Sequence, residues 1–404
     1  MSVFTNKLYL FLISLCLLSA CKDKNSNACG DDYEADPPGQ WFNGDFHVHA
    51  TGASNDTGSI PSYPADIKQK AIERGLDFLV LTDHSNSTGS DPSTTAEDPA
   101  LFNQGPEFPY WKECAALTDA DFLMIDGNEI SPRHPDQTIP TGHIGCLPTN
   151  LETFDTTVVF IDRPMGSVTG GNTVQQAKAA GCFAIVNHPY SITKHIAYDW
   201  TSYDYDGMEI WNGTIGYDFQ DQDGRDAWLC DLLNGKPTVA VGGSDCHRAY
   251  IDAPGSGFDP ALGFPTTAVF ADKLEWPAIM EGLKNGKTSI FGGESRLFID
   301  GYDEAFCRIE SNQTKYLRIR GFVDNNIGIA TLTVTRAINC TDNRPDPSDG
   351  PEIQHETLYD ETAILDQAFD IRIPINGESG VYSAILLGET TSHYNAISRA
   401  IVIQ

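Results

Sequence analysis

The chain has 404 residues and a net charge of −30, from 26 Lys plus Arg against 56 Asp plus Glu. At roughly 150 residues per domain that is room for two or three units. Its 40% apolar and 20% charged residues exclude wholesale disorder. The acidic excess excludes a nucleic-acid scaffold, which needs basic surface to displace counterions.

The first twenty residues read as a leader. Lys7 precedes the apolar run Leu8–Leu18, which is shorter than the roughly 20 residues of a membrane span and has the build of a secretory segment. It ends in Leu18-Ser19-Ala20-Cys21, which resembles the bacterial lipobox. That resemblance implies lipidation of Cys21. Lys22 in the next position implies outer-membrane sorting where the cell has such a membrane. An ordinary signal peptide is the alternative. The expectation is a signal peptide over 1–20, a polar tether over 21–40 and an exported lipoprotein of the cell envelope, facing periplasm or surface. Eight further cysteines follow, and an exported compartment permits disulfides. Their pairing is not deducible in general, but Cys307 and Cys340 stand alone in the last hundred residues and are each other's expected partners.

From residue 41 to about 296, short apolar runs alternate with helical patterns. The runs are Asp45–His49, Phe78–Thr82, Phe122–Asp126, His143–Leu147, Phe183–Asn187, Met208–Trp211 and Thr238–Val241. Helices are expected from Pro64 to a stop at Gly75, from Thr173 to Gly181, from Arg225 to Asn234-Gly235, and around Trp276, Ile279, Met280 and Leu283, stopped by Asn285-Gly286. Such repetition argues an α/β fold with a parallel sheet, open or closed into a barrel. From about 297 to 404 the pattern changes to alternating segments, Tyr316–Phe322, Ile329–Thr335, Phe369–Ile373 and Val381–Leu387, with no helix. This reads as a small all-β sandwich-like domain. The acidic, Pro-rich stretch Asp342–Gly350 reads as a solvated loop, with calcium binding as the alternative.

Six of the ten histidines are read as lying at or just beyond the ends of successive apolar runs: His47, His49, His84, His143, His188 and His247. In parallel α/β folds such positions converge on one crevice. Gathered imidazoles repel as cations but are good metal ligands when neutral. His47-Val48-His49 puts two rings on one face of a strand, whose side chains alternate with period two. Glu129, Asp245 and Asp83 lie at comparable positions, and two adjacent metals need a bridging carboxylate. Glu209 is open between a solvent-facing edge and a role at the site. Cys246 reads as packing or disulfide. Tyr190 and Trp211 read as core or as lining for a leaving group. His134 and His195 lie outside these strand-end positions, and His355 and His393 fall in the sandwich.

The series GDFHVHA, FLVLTDHS, GNEIS, TGHIG, VNHPY and VGGSDCH resembles the PHP (polymerase and histidinol phosphatase) superfamily. The CehA/McbA-type branch of metal-dependent hydrolases is the nearer likeness, over about residues 43–295. The resemblance implies a distorted (β/α)7 TIM-like barrel over 41–296, with the sandwich-like domain over 297–404 outside it. It also implies two to three divalent transition metals, with Zn, Mn and Fe all suited to such ligands. Residue by residue, His47, His49, Glu129 and Asp245 would hold one metal. Glu129 would bridge to a second on His143 and His188. His84 and His247 would hold a third, with Asp56 a further candidate, and Asp83 would be a ligand or would orient His84.

The reaction this implies is hydrolysis of small organic phosphoesters by a metal-bridging hydroxide, with Glu129, Asp245 and His247 as the catalytic set. Arg133, Lys194 and Arg248 are candidate substrate cations. No G-x-S-x-G elbow and no Walker loop is present, which counts against a serine esterase and an ATPase. The alternatives are a carboxyl-ester, carbamate or amide hydrolase on the same centre, or a non-enzymatic metal- or glycan-binding surface lipoprotein. The expected partners are the small-molecule substrate and, through the anchor, the membrane.

Overall fold

The computed structural model describes residues 39–404, apart from 55, 58, 85–98, 133–140, 191–202, 214–216, 251–259, 324–329, 342–349, 363–367 and 389–394. The leader, Cys21 and nearly all of the tether and of the acidic loop lie outside these residues. Among them no helix is long and apolar enough to cross a membrane.

The chain is mixed α/β and rich in strand. Its first half runs β1 (Gln40–Val48), α1 (Pro64–Glu73), β2 (Phe78–Leu81), α2 (Trp111–Leu117), β3 (Leu123–Asp126), β4 (Asn128–Ile130), β5 (His143–Pro148), α3 (Gly170–Ala179) and β6 (Cys182–Asn187). It continues with β7 (Gly207–Asn212), α4 (Phe219–Leu233), β8 (Val239–Gly243), β9 (Thr266–Ala271), α5 (Trp276–Lys284) and β10 (Thr288–Phe291). Among the described residues, the regular elements of the second half are all strands: β11 (Arg296–Tyr302), β12 (Tyr316–Phe322), β13 (Ala330–Thr341), β14 (Glu352–Thr362), β15 (Ala368–Pro374), β16 (Gly380–Gly388), β17 (Ala396–Ser398) and β18 (Ile401–Ile403).

The four expected helices form, although α3 and α4 begin earlier than expected, at Gly170 and Phe219 rather than at Thr173 and Arg225. Thr169 and Asp218 cap α3 and α4 with side-chain oxygens that accept from the first-turn amides. The stopping glycines Gly75, Gly181, Gly235 and Gly286 all adopt positive φ, the left-handed turn that ends a helix and that lacks a steric cost only for glycine. On α5, Trp276, Ile279, Met280 and Leu283 are all buried, each contributing about 1.5–3 kcal/mol of apolar burial. The short α2 was not foreseen, because Trp111–Leu117 gives less than two turns of pattern.

A single closed barrel does not form. Strands β4-β5-β6-β7-β8 make one sheet. Strands β3, β2, β1, β9 and β10 belong to another, in which β9 and β10 run antiparallel to their neighbours. The two sheets meet at seams without a continuous ladder. At one, the chain steps from β3 to β4 through Gly127, whose N–H donates to Leu81 O at 2.7 Å. At the other, β1 meets the segment after β8 through the isolated Val48–Cys246 bridge, flanked by Asp245 N–H to His47 O and His49 N–H to Cys246 O. The reason is local: β1 already spends its other edge on β9, so only its last residues reach β8.

The strands after residue 296 form two facing layers over a shared core that includes Leu297, Leu317, Leu332, Tyr382 and Leu386. One layer, β11-β12-β15, stands alone. The other, β14-β13-β16-β17, continues without interruption into β10, so hydrogen bonds cross the expected division at 296/297. Helix α4 also bridges the halves. Arg225 donates to Ser383 Oγ at 2.8 Å, and Cys230 is disulfide-bonded to Cys340. This corrects the expected Cys307–Cys340 pair: Cys340, near the end of β13, faces α4, and Cys307 is disulfide-bonded elsewhere. Cys146–Cys182 staples β5 to β6, while Cys114 and Cys246 are free and buried.

The Cys230–Cys340 bond closes a sequence separation of 110 residues. Cys340→Ser should therefore lower unfolding stability by about 2–5 kcal/mol. Non-reducing denaturant titration checks this, and an unchanged midpoint would mean the halves are held by packing alone.

Candidate metal centre

Six imidazoles and three carboxylates converge on one end of the first-half strands. His47 lies on β1 and His49 just past it, on the same face, with ring centroids 5.2 Å apart. His84 follows β2, His188 follows β6, and Asp245 and His247 follow β8. His143 is the first residue of β5, not the last. Because β5 runs antiparallel to β6, in the register His143–Asn187, it still arrives beside His188, at 5.0 Å between rings. His49 and His247 stack at 3.9 Å.

Glu129, on β4, is the hub. Its Oε1 lies 3.1 Å from His47 Nε2 and 3.2 Å from both His143 Nδ1 and His188 Nε2. Its Oε2 lies 3.2 Å from His84 Nδ1 and 3.7 Å from His49 Nε2. Asn187 Nδ2 donates to Oε1 at 2.9 Å and fixes the carboxylate. Asp245 Oδ1 lies 3.3 Å from His47 Nε2 and 3.2 Å from His49 Nε2. Asp56 Oδ2 lies 3.2 Å from His247 Nε2 and 3.4 Å from His84 Nε2. Three groups of ligand atoms result, each within 4.8 Å: His47 with Glu129 and His188; His47 with His49 and Asp245; and His49 with Asp56, His84 and His247.

The electrostatics split the imidazoles: against the pull of burial, the neighbouring carboxylates raise His47, His84 (to about 9), His188 and His247, while His49 and His143 are lowered. Burial opposes ionisation of Glu129, but the imidazoles, His47 foremost, hold its carboxyl well below the usual range. Asp245 is held low in the same way, by His47 first. Burial, then the His247 ring, pushes His49 down to about 3, and burial pushes His143 down to about 4, so both rings are neutral with a lone pair to offer. The Nε2 atoms of His47 and His49 are buried and make no hydrogen bond. Buried polar atoms rarely go unsatisfied, and a metal ion would satisfy both. The residues present therefore fit divalent metals.

The backbone is bent to build this array. His188 and Asp245 adopt positive φ, 28° and 54°, which costs about 1–3 kcal/mol each and clusters at functional sites. Clamps hold both. The His188 N–H donates to Glu209 Oε2 at 2.7 Å, and the Asp245 N–H to His47 O at 2.8 Å.

Glu209 and Asp45 are the carboxylates whose roles the sequence left open or hid. Glu209 is buried, and its Oε1 lies 3.1 Å from His47 Nδ1, the arrangement that fixes a metal-binding imidazole's tautomer and aim. Asp45 accepts from His47 N, Ser244 N and Gly263 N at 3.2, 3.0 and 2.8 Å, tying β1 to the turn that carries Asp245. Its signal was present, since Asp45, His47 and His49 share one strand face. Asp83, expected as a ligand or as the group that orients His84, is connected through Ser54 to His49 instead. Its Oδ1 accepts from Ala50 N at 2.6 Å and from Ser54 Oγ at 2.9 Å, and Ser54 Oγ contacts His49 Nδ1 at 2.9 Å. Burial raises the Asp83 carboxyl to about 7.

The remaining candidates separate cleanly. Arg248 is half-buried and follows His247. Arg133, Lys194, His134, His195 and His393 lie outside the described residues. Trp211, Tyr190 and Cys246 are buried core residues. His355 lies 3.7 Å from Asp226, apart from the cluster.

Glu209→Gln should weaken metal binding about 10–100-fold while leaving the fold intact. Competition with a chromophoric chelator measures this, and unchanged affinity would remove Glu209 from the site.

No protein-family model matches the sequence, and no curated protein does. Among solved structures, the chain is similar to a two-domain protein from Bacteroides vulgatus described as containing a predicted PHP-like metal-dependent phosphoesterase. The identity is 15% and the TM-score 0.43, over 88% of this chain and 92% of that one. It is also similar to PsfC from Pseudomonas syringae, at 16% identity and TM-score 0.32, over 57% of this chain and 82% of that one.

Proposed function

We propose that this chain is an exported metal-dependent phosphoesterase acting on small organic phosphoesters, of the PHP type and its CehA/McbA-like branch. The observation that carries the reading is Glu129, a buried carboxylate with imidazoles at ligand distance on both oxygens. A carboxylate so placed is what two adjacent metals require between them. Bound there, divalent metals would supply Lewis acidity and lower the pKa of water.

The chain's own residues do the rest. His47, His49 and Asp245 offer one ligand set, Glu129, His143 and His188 a second, and Asp56, His84 and His247 a third. Glu209, Asp83 and Asp45 aim these groups before any substrate arrives. Three dications would over-neutralise Glu129, Asp245, Asp56 and Glu209 and leave a site that favours an anionic substrate, which supports phosphoesters over neutral esters. Arg248 follows His247 directly and is the described candidate for the substrate's remaining charge. Export and lipid anchoring at Cys21 rest on the leader, and the disulfides Cys146–Cys182 and Cys230–Cys340 fit an oxidising compartment.

A panel of phosphomonoester, phosphodiester and aryl carboxyl-ester substrates, assayed with added Zn or Mn, tests the reading. Turnover of a phosphoester that falls with chelator is expected. Robust aryl-ester cleavage without any phosphoester turnover would move the assignment to a carboxyl-ester hydrolase.

A further inference from the structure

A cleft of about 790 Å³ opens away from the imidazole cluster, between the β9–α5–β10 face and the β11–β12 layer. Trp41 lies on its wall, at the opposite end of β1 from His47. Six residue steps along the strand separate them, about 20 Å at roughly 3.3 Å per step. No residue lining the cleft belongs to the metal centre.

One wall is aromatic. Trp41 packs on Phe298 at 4.7 Å between ring centroids and meets Phe270, its register partner on β9, edge-on at 5.5 Å. All three rings are only partly buried. The adjoining lining is cationic, with Arg320 the register partner of Phe298 in the β11–β12 ladder. Arg308 and Arg320 each reach the buried carboxylate of Asp300 at 2.6 Å, and Arg399 approaches it at 3.4 Å while also gripping Glu310. Lys287 adds a fourth cation, 6.0 Å from the Phe270 ring centroid. The acids of the lining, Asp300, Glu310 and Glu281, fall one short of these four. In a chain of net charge −30, a cleft with a surplus positive charge is against the general trend of the surface.

We infer that this cleft binds a carboxylated saccharide, a uronic-acid oligosaccharide in chemical class. The aromatic wall suits the apolar face of a pyranose ring. A surplus of one positive charge matches one carboxylate, held by a guanidinium fork, and is too small for a polyphosphate. Glu281, held by two hydrogen bonds from Asn285 Nδ2, supplies acceptor capacity for a hydroxyl. The volume falls within the range of ligand sites. Arg320 is the specificity residue, since its side chain is 40% exposed where those of Arg308 and Arg399 are 25% and 12%. This inference stands apart from the hydrolase reading.

Isothermal titration of the full chain with tetramers of galacturonate, mannuronate and glucuronate tests it, beside neutral cellotetraose and a nucleoside diphosphate. Saturable binding of at least one uronate is expected, at least tenfold tighter than cellotetraose. Arg320→Gln and Trp41→Ala should each weaken it tenfold or more, with phosphoester turnover unchanged. Should Trp41→Ala melt early, Arg320→Gln alone decides, because that side chain is half exposed. No binding of any uronate at millimolar concentration, binding indifferent to Arg320→Gln, or preferential nucleotide binding would each overturn the inference.

Discussion

Glu129→Gln should abolish metal-dependent turnover, lowering kcat/KM by about 10³-fold or more, the scale seen when a preorganised charge is removed from a reacting centre. The side chain keeps its size, so packing around it should survive. What changes is the charge that the His47, His143 and His188 nitrogens share on Oε1 and the His84 nitrogen faces on Oε2. Without it, the group of His47, Glu129 and His188 loses its carboxylate, and binding at the group that keeps Asp56, with His49, His84 and His247, should suffer least. Metal titration of the variant should thus show the site on Asp56 retained and the site on Glu129 lost. Full activity in Glu129→Gln would remove this carboxylate from the mechanism, whatever else the cluster does.

Gly243→Ala should damage the site without replacing any ligand. A methyl group at this position would lie 2.5 Å from both His47 Cβ and Glu209 Oε1, closer than real contacts allow. Neither neighbour can yield freely. His47 is held through its backbone by Asp245, and Glu209 holds His188. The expected cost is about 1–3 kcal/mol of stability from overpacking, with metal affinity down about 10–100-fold because the His47 ring loses its aim. Thermal melts with and without added Mn read both effects. The variant should start lower and gain less from metal, since binding to the native state stabilises by mass action. A wild-type metal-dependent rise in Tm would contradict the close packing of β8 against the His47–Glu209 pair.

Much of the site was legible because strand ends are legible. His47-Val48-His49, Asp83-His84, Asn187-His188 and Asp245-Cys246-His247 each terminate an apolar run, and parallel strands carry such termini to one edge. His143 reached the cluster by a different route, as the opening residue of an antiparallel strand. Glu209 stayed ambiguous because a carboxylate within a strand has no sequence mark that tells solvent from an imidazole. The Cys230–Cys340 bond was hidden because it depends on α4 docking against β13, a contact between segments far apart in the chain. Strand β14 was missed because most of Glu352–Thr362 is exposed, so no apolar alternation announces it. The closure expected of a barrel failed for a related reason. Which edge β1 offers to β8 is set by its antiparallel pairing with β9, and no local pattern records that choice.

The most direct test of the metal centre is the metal content of the full chain, purified without chelator and measured by inductively coupled plasma mass spectrometry before and after dialysis against Zn or Mn. Two to three equivalents of transition metal per chain are predicted, falling sharply in Glu129→Ala. Less than one equivalent, with no uptake of either added ion, would contradict the account and leave the imidazole cluster a polar crevice without metal chemistry.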